Sequence, residues 1–154
     1  MEQKLEVHTL VVALGSNIGD KYENIADAIS LIDSNIGKVV KKSSIFKNPA
    51  QGFDSENEFL NACLICKTSL NPFQILDKLQ KIEMQLGRTK TKNSYEDRVI
   101  DLDIIFFDME VIYTEKLQIP HAKYQNRDFV LIPLLELYDF QDPKTFLNIS
   151  QLIR

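Results

Sequence analysis

No apolar run in this chain approaches the roughly 20 residues that a membrane-spanning helix needs. The opening residues, Met1 to His8, carry charges of both signs, and the apolar stretch Thr9 to Leu14 is too short for the core of a signal peptide. A cytoplasmic protein without a membrane partner is therefore expected. Positive charge is not in excess: 18 Lys and Arg stand against 22 Asp and Glu, for a net charge of −4. That balance, with a pI near 5.2, argues against a general polyanion-binding surface and hence against a nucleic-acid partner. Cysteine is scarce. The two present, Cys63 and Cys66, are spaced C-x-x-C but fall in an apolar stretch, Phe59 to Thr68, that reads as a strand. Three apart on a strand, their Cα atoms lie about 10 Å from each other, beyond disulfide reach. Two reduced core thiols are the expectation. Repeats, low-complexity segments and linkers are also missing, so residues 1–154 are expected to form one domain, with a monomer as the working unit.

What the chain does contain is an ordinary globular balance, 44% apolar and 26% charged, enough for a core without staples. Val7 to Leu14 reads as a first strand. Gly15-Ser16-Asn17-Ile18-Gly19 is a turn, and Asp20 with Glu23 resembles a capping box that opens a helix at Lys21. Ile25, Ile29, Ile32 and Ile36 recur at helical spacing, and Gly37 is a natural stop. Val39 to Lys47 reads as a second strand, followed by a polar loop over residues 48–58. Asn71-Pro72 starts a second helix whose buried stripe reads Leu76, Leu79, Ile82 and Leu86, with Gln80 and Glu83 beside it on what would ordinarily be a solvated flank. Asp108-Met109-Glu110 reads as a turn from the preceding strand into Val111-Ile112-Tyr113, a hairpin, and a short helix over 130–137 completes the reading. The β-α-β-β-α-β order implies an α+β, ferredoxin-like sandwich: a mostly antiparallel sheet, helices packed on one face, and two long mobile loops over 48–58 and 88–98.

The chemistry gathers at Arg98-Val99-Ile100-Asp101-Leu102-Asp103-Ile104-Ile105-Phe106-Phe107. The apolar run reads as a central strand buried on both faces. Asp101 and Asp103 then point the same way, roughly 6.6 Å apart along the strand. Such a pair is either the solvated entrance to a core strand or a seat for hard cations such as Mg²⁺. The preceding loop, Arg88 to Arg98, holds Arg88, Lys90, Lys92 and Arg98. Acids to hold a metal and cations to neutralise phosphate oxygens are together what a Mg²⁺-polyphosphate requires. A non-catalytic ferredoxin-like module, for example for single-stranded nucleic acid, is the rival reading, but it would need a basic, aromatic sheet face.

These residues also carry a resemblance. Arg98-x-x-Asp101-Leu102-Asp103-Ile104-Ile105, taken with Ala13-Leu14-Gly15-Ser16-Asn17, Phe59-Leu60-Asn61-Ala62, Gln80-x-x-Glu83 and Ile119-Pro120-His121, resembles the 6-hydroxymethyl-7,8-dihydropterin pyrophosphokinases of folate biosynthesis from about residue 9 to 137. The resemblance implies transfer of pyrophosphate from ATP, as co-substrate, to the pterin hydroxymethyl oxygen. It implies two Mg²⁺ ions on Asp101 and Asp103, with Arg88 and Arg98 neutralising the transferring charge. Gln80, Glu83, Lys90, Tyr95, Arg98, Ile104, Lys116, Gln118, His121 and Arg127 would meet ATP. Asn48, Pro49, Gln51, Phe59, Asn61, Tyr95 and Phe129 would form the pterin pocket, with Phe59 and Phe129 sandwiching the ring. Where the family usually shows Trp and then Gly-Pro before the motif arginine, this tryptophan-free chain has Tyr95-Glu96-Asp97. Lys90 stands where an arginine is frequent, replacing a bidentate fork by a point charge.

Overall fold

The computed structural model describes residues 6–48, 58–87 and 99–153. In chain order these form β1 (His8–Ser16), α1 (Lys21–Asn35), β2 (Lys38–Lys42), β3 (Phe46–Asn48), β4 (Phe59–Thr68), α2 (Pro72–Gln85) and β5 (Asp101–Phe107). Then follow β6 (Ile112–Tyr113), β7 (Gln118–Ile119), a 3₁₀ turn (Tyr124–Asn126), α3 (Asp128–Leu137) and α4 (Ile149–Leu152). The main sheet runs β2-β4-β1-β5 with β3 also on β4, and every pairing is antiparallel. β4 thus lies between β1 and β2, and β1 lies between β4 and β5. Two interleaved β-α-β units result, an α+β arrangement compatible with the ferredoxin-like expectation.

Local chemistry starts each helix. The Asp20 carboxylate accepts the Glu23 N–H at 3.1 Å at the head of α1. Asn71 and Gln74 exchange side-chain-to-backbone bonds of 2.9 and 3.0 Å at the head of α2, with Pro72 in its first turn. Ile25, Ala28 and Ile32 of α1 and Ile75, Leu79 and Ile82 of α2 pack on Leu10, Val12, Leu14, Leu64 and Ile104.

The opposite face is covered as well, which corrects the expectation of helices on one face. Val130, Leu131, Leu134 and Leu137 of α3, with Ile149 of α4, bury Val11, Ala13, Cys63, Ile105 and Phe106. Strands apolar on both faces need cover on both, and the Val130–Leu137 run supplies it. The Ser44 N–H and hydroxyl both donate to Glu136 at 2.7 Å, tying α3 to the β2–β3 connection. A bulge adjusts the register: Val11 faces Phe106 but Val12 faces Ile104. Ile105 and Phe106 therefore both point into the α3 layer, while Ile104 and Phe107 point toward α1 and α2.

Four further readings are corrected. The Val39–Lys47 strand is two strands, β2 and β3, so Asn48 pairs with Phe59 instead of opening a loop. β6 pairs with β7 and not with β5, because Asp108 closes the end of β5 by another route. Its N–H donates to the Thr9 carbonyl at 2.8 Å, and its carboxylate takes the Thr9 N–H and His8 Nδ1 at 2.7 Å. β5 is an edge strand of the main path, not a central one, though helices cover both its faces. In α2 the buried stripe holds Ile75, Leu79, Ile82 and Glu83, with Leu76 only partly buried. Among the described residues no helix is long and apolar enough to cross a membrane.

Gly37 is required by packing. A Cβ there would lie 2.2 Å from the Lys67 carbonyl oxygen and 2.9 Å from Thr68 Cα. Backbone cannot yield as a flexible side chain can, so Gly37→Ala is expected to cost about 1–3 kcal/mol. The measurement is the urea midpoint at unchanged slope, and a midpoint equal to the parent's would refute the packing account.

Candidate active site

Three strands align the candidate groups in one row. Gly15 of β1 is paired with Asn61 of β4 on one side and with Asp101 of β5 on the other. The next row in the same sense is Cys63, Ala13 and Asp103. Directly paired residues share a face, so Asn61, Asp101 and Asp103 all look toward the α3 layer. At about 4.8 Å per strand, Asn61 and Asp101 stand about 10 Å apart. Gly15 keeps the middle of the row open: a Cβ there would meet Asn61 Oδ1 at 3.1 Å and Phe59 Cδ1 at 3.7 Å.

Asn61 is buried, and its amide nitrogen donates to the Asn48 side-chain oxygen, the two held by the β3–β4 pairing. Phe59 is half-buried beside it, and Phe129, at the start of α3, is partly buried against the same layer. The Arg127 guanidinium lies 5.8 Å over the Phe129 ring, within cation–π range. Asn48, Phe59 and Asn61 thus stand together at the end of the sheet that carries the aspartates, and Phe129 packs into the layer over the same face.

On the outer edge of β5, Glu83 is buried, and its carboxylate accepts the Leu102 N–H at 2.9 Å. This N–H lies between the two aspartates in sequence. Glu83 is thus not on the solvated flank, whereas Gln80 is exposed. The His121 N–H donates to the Ile105 carbonyl at 3.1 Å, bringing the imidazole against Asp103, with Nε2 3.9 Å from Oδ1. The Lys123 N–H donates to His121 Nδ1 at 3.2 Å. Nδ1 is therefore an acceptor, and the neutral ring carries its proton on Nε2, facing Asp103. Burial, then the Arg127 cation, lowers the His121 pKa from 6.5 to about 4 against the opposing pull of Asp101.

The profile of the 7,8-dihydro-6-hydroxymethylpterin-pyrophosphokinase (HPPK) family matches residues 11–139. The chain belongs to this family. It is 42% identical over 127 residues to the 2-amino-4-hydroxy-6-hydroxymethyldihydropteridine pyrophosphokinase of Bacillus subtilis, covering 82% of this chain and 75% of that one. It is 39% identical over 129 residues to the protein of the same name from Aquifex aeolicus, covering 84% and 79%. A solved Plasmodium falciparum HPPK-DHPS chain superposes with a TM-score of 0.78 at 15% identity over 99% of this chain, which spans 43% of that larger one. At that identity the likeness speaks for the fold.

Within this HPPK domain, the structure brings together Asn48, Phe59, Asn61, Asp101, Asp103, His121, Arg127 and Phe129. Ile104 points its side chain into the α1–α2 layer, on the far face from the aspartates, so a nucleotide could reach only its backbone. Lys116 is exposed before β7, and Gln118 is half-buried where it pairs with Tyr113. Pro49, Gln51, Arg88, Lys90, Tyr95 and Arg98 lie outside the described residues. Two contributors had no role in the sequence reading: Gly15 as the gap in the row, and the Lys123 backbone that fixes the His121 tautomer. The flanking motif contains Gly15, but only strand pairing shows what faces it.

The His121 ring makes a pH prediction for the ligand-free protein. With the native pKa depressed from 6.5 to about 4, the unfolded chain binds the proton more readily between those values. The stabilisation is then complete above pH 6.5 and is lost as pH falls toward 4. It should amount to about 1–3 kcal/mol for this mostly buried ring. An NMR titration of the His121 ring with a midpoint near 6.5 would contradict the assignment.

Proposed function

We propose that this chain transfers the β,γ-pyrophosphoryl group of ATP to the hydroxymethyl oxygen of 6-hydroxymethyl-7,8-dihydropterin in folate biosynthesis. The observation that carries the reading is the row Asn61–Gly15–Asp101, which sets an amide able to read a pterin edge about 10 Å from the carboxylates on the same face. Asn61 offers both a donor and an acceptor, as a heterocycle with mixed edges requires. Phe59 and Phe129 stack on the ring, and Gly15 leaves room for it.

Asp101 and Asp103 fit Mg²⁺. They are paired, half-buried oxygen donors, and among the described residues no group of three His, Cys, Asp or Glu forms a closed cage. A hard cation that keeps water and phosphate ligands needs only such a pair. The proposal is two ions there, which when bound would draw charge from the phosphate oxygens and acidify the acceptor hydroxyl. Glu83 holds the backbone between the aspartates, and His121 presents a neutral Nε2–H beside them. Arg127 brings its charge to the nucleotide side, as do Gln80, Lys116, Gln118 and the Ile104 backbone. The motif residues Arg88, Lys90, Tyr95 and Arg98 join ATP by the family register, and Pro49 and Gln51 the pterin rim. In the transfer, the pterin oxygen forms a bond to the β-phosphorus as the bond to the α-phosphate oxygen breaks. AMP leaves with the electron pair, and the hydroxyl proton passes to solvent. Positioning and charge neutralisation account for most of such a step.

The partners are then the two substrates, with no nucleic acid and no membrane. The working unit is a single-domain monomer in the cytoplasm, a setting that suits the free thiols of Cys63 and Cys66. The test is release of AMP from ATP and Mg²⁺ only when the hydroxymethyl-dihydropterin is added. Asp101→Ala and Asp103→Ala are each expected to lower kcat by about a hundredfold or more. Near-normal turnover in either would remove the metal assignment. Asn61→Ala is expected to raise the pterin KM by about tenfold, with the ATP KM unchanged.

A further inference from the structure

Beyond the span matched by the family profile, which ends at residue 139, lies a buried carboxylate that the transfer does not use. Asp142 is fully buried, and so is Tyr124, whose hydroxyl donates to Asp142 Oδ2 at 2.5 Å. The other oxygen accepts the Lys144 and Thr145 N–H groups at 2.6 and 3.0 Å. The Asp142 backbone is fixed too, its N–H on the Leu147 carbonyl at 2.8 Å and its carbonyl receiving the Phe146 N–H at 2.9 Å. Phe146 takes a left-handed φ of 61° to close this loop. Asp142 is therefore a rigid acceptor, and burial followed by that same carboxylate holds the Tyr124 hydroxyl far above the usual phenol range.

Tyr124 sits midway along the segment from His121 to Arg127 and is bonded to both ends. Its N–H donates to the His121 carbonyl at 3.5 Å, and its carbonyl receives the Arg127 N–H at 3.1 Å. Its ring meets Phe106 edge-on, with centroids 5.2 Å apart. The two side chains that flank the phosphate side thus hang from one turn, and that turn is pinned at its centre by a residue of the C-terminal segment. We propose that Asp142 and Tyr124 are positioning residues for nucleotide binding, holding the 121–127 turn so that His121 and Arg127 face ATP together. This rests on the pyrophosphokinase reading for the identity of the ligand, though the pinning itself can be read without it.

Tyr124→Phe keeps the ring packing and removes only the hydroxyl. The expected result is a rise of about five- to tenfold in the ATP KM, the worth of one buried hydrogen bond, with kcat and the pterin KM within about twofold. Asp142→Asn retains an oxygen for the two amides and should shift the ATP KM in the same direction by less; it serves if Tyr124→Phe does not fold. An ATP KM unchanged in a folded variant overturns the inference, even if the melting temperature falls. A second readout needs no turnover. The chain has only two histidines, and ¹⁵N-resolved ring spectra report the His121 tautomer. Loss of its single Nε2–H form in Tyr124→Phe upholds the pin, and a spectrum identical to the parent's overturns it. A parent chain that releases no AMP and binds no ATP would refute the proposed function, while the tautomer spectrum would still decide the pin.

Discussion

An edge strand that carries Asp101 and Asp103 must have its outer backbone groups satisfied without another strand to pair with them. Two bonds serve β5 in this way. The Glu83 carboxylate takes the Leu102 N–H at 2.9 Å, and the His121 N–H reaches the Ile105 carbonyl at 3.1 Å. An edge left open is a template for pairing with other chains. Side-chain and turn partners leave the edge ordered and still approachable. Each of those partners comes from an element whose own position is fixed elsewhere: α2 by its apolar stripe, and the 121–127 turn by Tyr124.

The same constraint explains why the domain needs two helical layers. The apolar residues of β1, β4 and β5 alternate into both faces, so α1 and α2 cover one and α3 and α4 the other. α3 begins at Asp128, and Val130 in its first turn meets Cys63, the residue two along β4 from Asn61 in the row Asn61–Gly15–Asp101. The row sets carboxylates on one side of Gly15 and an amide on the other. The absence of a side chain at Gly15 matters as much as any residue that is present.

His121 shows how charge is set there by arrangement. A histidine beside two aspartates would ordinarily be expected to protonate more readily. Here the backbone of Lys123 occupies Nδ1, burial removes water, and Arg127 adds positive charge, so the ring is held neutral. In that state its Nε2–H is a hydrogen-bond donor that adds nothing to the net charge beside Asp103.

Much of this was legible from residues in order. Period-two and period-3.6 patterns gave the strands and the two main helices, the Asn71-Pro72 and Asp20 starts included, because those signals are local. The Asp101/Asp103 pair and the motif register were legible for the same reason. The one-faced helix layer, the single strand over 39–47 and the β5–β6 hairpin were misread, since pairing partners and covering layers are set by residues far away in the chain. Glu83 read as a solvated flank because a glutamate on a helix is ordinarily solvated, and nothing nearby in sequence announces the N–H of Leu102. By itself, then, the sequence determined the elements, the reactive residue types and the family to which they belong. Only the tertiary structure decided that Asn61 and Asp101 share a row across Gly15, that Glu83 is a backbone clamp, and that Asp142 reaches back to Tyr124. Those relations join residues 18 to 86 positions apart in the chain, and only the pairing register and the packing of both layers bring them within hydrogen-bonding or cross-strand range.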